Sequence, residues 1–149
     1  MPQMPLMPPL QASRTRDLPG AGERPEPRTV DPAPLLGEWV NFDRSSRGMA
    51  RLVVSASDSG TGMTVHAFGA GSPAPVDWGE VPGAPFADGV GLDAGVAFTA
   101  GYEFPGHRVT LACYLNKRLL VVDAYTRFAD GSGRAAYFAR DHFYIPSSS

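Results

Sequence analysis

The sequence predicts an all-β domain: an up-and-down antiparallel barrel of about eight strands behind a proline-rich tail. From residue 35 onward, short apolar or alternating runs are separated by Gly, Asp, Ser and Asn, and no stretch sustains a helical period. The separators have the chemistry of hairpin turns, so sequential strands should pair antiparallel. No helical segment remains to cover a sheet face, and closing the sheet removes both unpaired edges. A two-sheet sandwich is the second solution to the same pattern, and the absence of an internal repeat argues against a propeller or solenoid.

Residues 1–34 hold nine of the 15 prolines, with Arg14, Arg16, Arg24 and Arg28 balanced by Asp17, Glu23, Glu26 and Asp31. Proline fixes φ and lacks a donor, and the apolar residues here have no period, so a disordered or polyproline-like tail is expected. Its first ten residues, rich in Met and Leu, also read as a lid over a pocket mouth. Prolines interrupt the apolar residues and no basic region precedes them, so no secretory signal is expected. No apolar run approaches the ~20 residues of a membrane span, which leaves a cytoplasmic location.

The barrel domain is placed at 35–146, with strands at 36–42, 49–56, 62–68, 75–81, 95–104, 107–115, 118–128 and 134–144. Residues 58–62 form the turn after the second strand. Pro105-Gly106, Asn116-Lys117 and residues 130–133 form the turns after the fifth, sixth and seventh.

Thirteen basic and 15 acidic residues give a net charge of −2 without a basic stripe, which excludes nucleic acid as a partner. His66, His107 and His142 are scattered and Cys113 is alone, so no metal site is expected and Cys113 reads as a small buried hydrophobe. Nucleotide-binding glycine loops opening a helix and a nucleophile elbow are both missing, so no cofactor is expected. In the middle segment, which includes His66, Asp77-Trp78 offers a hydrogen-bond acceptor beside an apolar wall; the alternative is a core Trp78 with Asp77 capping the loop. Leu119, Val121, Asp123 and Tyr125 share one strand face, where Asp123 is either buried with a partner or marks the outer wall. Tyr102, Tyr114, Tyr125 and Tyr137 either line a cavity or fill the barrel.

The first strand opens with Gly37-x-Trp39, which resembles the calycin barrels: lipocalins, fatty-acid-binding proteins and avidins. The avidin pattern continues through Asn41 and Ser45, and in the last strand through Asp141 two residues before Phe143. That resemblance implies that Asn41, Ser45 and Asp141 line the pocket floor and bind a small polar head group. Closure of the barrel would set the end of the last strand beside the first, with Asp141 facing Asn41. Avidins use several pocket tryptophans where this chain has Trp39 and Trp78. The lipocalin arginine would correspond to Arg140, on the strand face opposite Asp141. The segment 65–79 is similar to barrel proteins of actinobacteria without an assigned activity, which carry Cys where this chain has Gly71 and Val76. A single Lys among 13 basic residues agrees with such an origin.

The functional expectation is a binding barrel holding a small, mainly apolar molecule with one polar head group. Its candidate contacts are Asn41, Ser45, His66, Asp77, Trp78, Tyr125 and Asp141. The alternative is a cofactor-independent cyclase or isomerase of bacterial specialised metabolism, whose chemistry needs positioning rather than a motif. A filled barrel that binds protein through its outer face is a third reading, and self-association is left open.

Overall fold

The computed structural model describes residues 29–58 and 62–147. Most of the expected tail, with the lid read at residues 1–10, lies outside the described residues. Within them run β1 (Gly37–Asn41), β2 (Met49–Ala56), β3 (Met63–Gly69), β4 (Val76–Ala87), β5 (Gly95–Phe104), β6 (His107–Asn116), β7 (Leu119–Phe128) and β8 (Tyr137–Tyr144). Each strand pairs antiparallel with the next, and β8 returns to β1, so the sheet closes as a barrel rather than dividing into a sandwich. The seam is short: Val40 lies opposite Tyr144 and Asn41 opposite Phe143, extended by a bond from the Phe42 N–H to the His142 carbonyl.

Alternation along the strands sends Leu52, Val54, Met63, Val65, Phe98, Leu111, Leu120 and Phe143 into a dry core. Burial pushes the Cys113 thiol pKa up, which fits the small buried hydrophobe expected of it. One end of the barrel is closed by the short 3₁₀ turn η1 (Ala33–Leu35). Asp31 fixes this turn to β5: its N–H donates to the Asp93 carbonyl at 2.6 Å, and its carbonyl accepts the Gly95 N–H at 2.7 Å. Gly95 is required there, because a Cβ would stand 2.9 Å from the Asp31 carbonyl oxygen. Leu35 is then fully buried, and Trp39 donates its indole N–H to the Leu35 carbonyl at 3.0 Å. A domain boundary at residue 34 therefore cuts through the closure, since Asp31 to Pro34 belong to the barrel.

β4 is longer than the expected 75–81 because its prolines do not break it. Its pairing with β3 runs from Gly69↔Val76 to Met63↔Gly83, and its pairing with β5 covers only Gly83↔Ala100 to Ala87↔Gly95. Pro82 and Pro85 each lie where the strand has a single neighbour, so the missing donors cost little. At the other end of the barrel, β4 and β5 are consequently joined by side chains rather than by a ladder. The expected turns agree in kind: Gly106, Gly131 and Gly133 have positive φ, as does Lys117 between β6 and β7.

Candidate functional site

The end of the barrel opposite η1 is open and leads to a cavity of about 710 Å³. Its apolar walls come from inward positions on four strands: Met49 of β2, Val109 of β6, Val122 and Ala124 of β7, and Ala139 of β8. Trp78, His107, Phe128 and Tyr137 stand towards the mouth. Ser46, Arg47 and Gly48 of the β1–β2 loop and Arg134 of the β7–β8 loop complete the rim.

Trp78 is positioned by an irregularity in β4. His66 pairs with Glu80 and Phe68 with Asp77, so an extra residue is accommodated beside Ala67, at Gly79 with φ +88°. This bulge keeps Asp77 and Glu80 on the outer wall while Trp78 turns inward. The indole rests over Gly69, where a Cβ would stand 2.5 Å from Trp78 Nε1. Tyr102 of β5 holds the arrangement: its hydroxyl accepts the Ala67 N–H at 3.0 Å and donates to the Gly79 carbonyl at 2.8 Å. Burial raises its phenol pKa. Trp78 packs edge-on against Tyr102 and Phe104 at 5.4 and 5.3 Å, which seals the wall where β4 and β5 have no ladder. The row of rings continues from Phe104 to His107 at 4.8 Å, to Phe128 at 6.0 Å and to Tyr137 at 6.1 Å. An aromatic girdle thus follows the mouth from β4 to β8.

Asp141 lies opposite Val122, a residue only 3% exposed, so its carboxylate enters the cavity well below the girdle. Among the described residues no side chain or backbone donor meets that carboxylate. The neighbouring Arg140 points outward and grips Asp123 with Nε and Nη2 at 2.7 and 3.0 Å. Asp123 is therefore on the outer wall and is also buried with a partner.

The remaining expected contacts lie elsewhere. Asn41 is buried at the base of the β1–β2 loop, where its Nδ2 donates to the Met49 carbonyl and its Oδ1 accepts the Asp43 N–H, both at 2.8 Å. The register sets it opposite Phe143, so the expected facing of Asn41 and Asp141 is replaced by a loop cap. Ser45 is exposed on the same loop and donates to Asp43 at 2.7 Å, an interaction that holds the Asp43 carboxyl below its usual pKa range. His66 and Asp77 meet each other on the outer wall at 2.7 Å, and that contact, with the Gly79 N–H, lowers the Asp77 pKa. Tyr125 is outside as well, packed on Phe138 at 5.1 Å.

No family model, curated protein or solved structure matches the chain.

Of the residues singled out from the sequence, the cavity collects Trp78, Tyr137 and Asp141. Sequence reasoning did not place His107, Phe128, Arg47 or Arg134 there. Strand parity was the available signal for two of them: His107 shares a face with Val109, and Phe128 with Thr126. No helix among the described residues is long and apolar enough to cross a membrane, and no group of His, Cys, Asp and Glu among them is arranged to hold a metal ion.

Proposed function

We propose that the barrel binds a small, mainly apolar molecule through its open end, with the polar head group of that molecule donating to Asp141. One observation carries this reading: a carboxylate projects into an apolar-walled cavity without a protein partner. Asp141 is partly buried, so water serves its carboxylate, and a ligand that displaces this water has to bring a donor of its own. The volume lies within the usual range for small-molecule sites, and the girdle offers ring faces to a flat or unsaturated body. The calycin resemblance of Gly37-x-Trp39 supports the same use of the barrel. In this reading the site consists of Trp78, Phe128, Tyr137 and Asp141, with Val109, Val122 and Ala124 as apolar walls.

The test is mass spectrometry of the protein purified from its native host and then denatured, scanned for a retained small molecule. The parent should release one, and Ala124→Trp, which fills the cavity, should not. Asp141→Asn should weaken rebinding by about 1–3 kcal/mol while leaving the urea midpoint nearly unchanged. A parent without a retained molecule and without saturable uptake of the neutral dye phenylnaphthylamine would refute the proposal.

A second reading follows from the same carboxylate. Asp141, the His107 imidazole and the Tyr137 phenol give one cavity three groups able to move protons, as a cofactor-independent cyclase or isomerase would require. Turnover of the retained molecule by the parent, lost in Asp141→Asn with binding preserved, would select this reading over simple binding.

A further inference from the structure

The two ends of the cavity differ in charge. Inside stands Asp141; at the mouth stand Arg47, on the β1–β2 loop, and Arg134, on the β7–β8 loop. Arg134 is held in place, its guanidinium 4.1 Å above the Phe128 ring. Its Nε donates to Ser132 Oγ at 3.1 Å and its Nη2 to Asp130 at 2.8 Å. The guanidinium fork has further N–H groups beyond these two bonds. Arg47 has no ion-pair or hydrogen-bond partner among the described residues. The carboxylates on the same two loops do not line the cavity: Asp130 bonds Ser132 and Arg134, and Asp43 bonds Ser45.

Taking the cavity as a small-molecule site, we infer that its ligand is an organic acid with a flat, unsaturated body, oriented with the anionic group outward between Arg47 and Arg134. At the entrance Arg134 is ion-paired with Asp130 and offers its remaining N–H donors, while Arg47 brings an unpaired charge; a molecule with its acid group innermost would instead meet Asp141. The orientation that satisfies both ends places the anion at the mouth, the rings against Trp78 and Phe128, and a hydroxyl or amine N–H on Asp141. A carboxylate, sulfonate or phosphate would serve the mouth equally well, because the guanidinium fork matches each of them.

Two fluorescent probes with the same ring system test this: anilinonaphthalene sulfonate and its uncharged counterpart phenylnaphthylamine. The sulfonate should bind about tenfold tighter or more at low salt, as charge-assisted hydrogen bonds allow, and the gap should narrow as salt is added. The double variant Arg47→Gln/Arg134→Gln should bring the ratio of the two affinities close to one. Arg47→Lys/Arg134→Lys should restore part of it. Competition from Ala124→Phe and Ala139→Leu, each checked by thermal melting, locates both dyes in the cavity. Equal affinities in the parent, or a ratio unmoved by the double Gln variant, would overturn the anion assignment while cavity binding of the neutral dye upholds the small-molecule reading. If neither dye binds, or if filling the cavity displaces neither, both readings fall together.

Discussion

A single hydroxyl, that of Tyr102, connects β5 to the backbone of β3 and β4 at the point where the β4–β5 ladder has ended. In Tyr102→Phe the rings still pack, but the Ala67 N–H and the Gly79 carbonyl lose a partner in a buried setting. A loss of about 1–3 kcal/mol is expected in urea melts. The Trp78 signal in near-ultraviolet circular dichroism should change with it, because the bulge that turns the indole inward loses its tether. An unchanged midpoint and spectrum would show that packing of Trp78 on Phe104 suffices. Alternation along β4 is enough to divide Asp77 and Trp78, adjacent in sequence and read together as a pocket pair, between the two faces, and the bulge decides that Trp78 is the inward one by keeping Asp77 on the same outer face as Glu80. Asp141 was read as a pocket residue from the avidin-like pattern of the last strand, and it does line the cavity, though opposite Val122 rather than facing Asn41. Asn41 was recognisable as a special polar residue, but its use as a loop cap depends on where the Met49 carbonyl falls, and a strand motif does not encode that.

Among the elements, the turn η1 is the part most easily overlooked in sequence, since it sits among the last prolines of the tail. Three residues have no periodicity to detect, and the decisive contacts are backbone bonds from Asp31 to Asp93 and Gly95. A chain beginning at Leu36 should therefore melt at lower temperature than one beginning at Thr29, since it lacks the fully buried Leu35 and the acceptor of the Trp39 indole N–H. Equal melting temperatures would show that the strands close that end unaided. The β7–β8 loop gives a pH-dependent counterpart. The Ser132 hydroxyl and N–H, followed by Arg134, hold the Asp130 carboxyl well below the usual carboxylate range. A carboxyl whose folded pKa is depressed stabilises the fold above its unfolded pKa and loses that contribution as pH falls through the folded value. Acidification below the ordinary aspartate range should thus loosen the loop that carries Arg134. Carboxyl NMR should show Asp130 titrating below the other exposed aspartates; titration at the ordinary value would refute the loop geometry.

On the scale of the whole molecule, the strand order and closure were readable because they follow from hairpin turns, alternating runs and the lack of helices, which are all local or compositional signals. The extent of β4 was not, because proline reads as a breaker until the strand is seen to have one neighbour along each half. The cavity was harder still. Whether a small barrel is filled or hollow depends on the volumes of inward residues from several strands, and Ala124 and Ala139, paired side by side on β7 and β8, are two small residues where larger ones would project into the space.

The short seam between β1 and β8 makes this cylinder unequal around its circumference. Ten residue pairs join β6 to β7, against two pairs between β1 and β8. Thermal fluctuation opens a structure first where fewest bonds must break together, so the seam should act as a hinge line along which the barrel parts before its other strands separate. Asp141 precedes the seam residues Phe143 and Tyr144 on the same strand. Parting there would widen the interior beside the carboxylate, giving a bulky guest a lateral way in and exposing, for that interval, two strand edges that a neighbouring molecule could pair with.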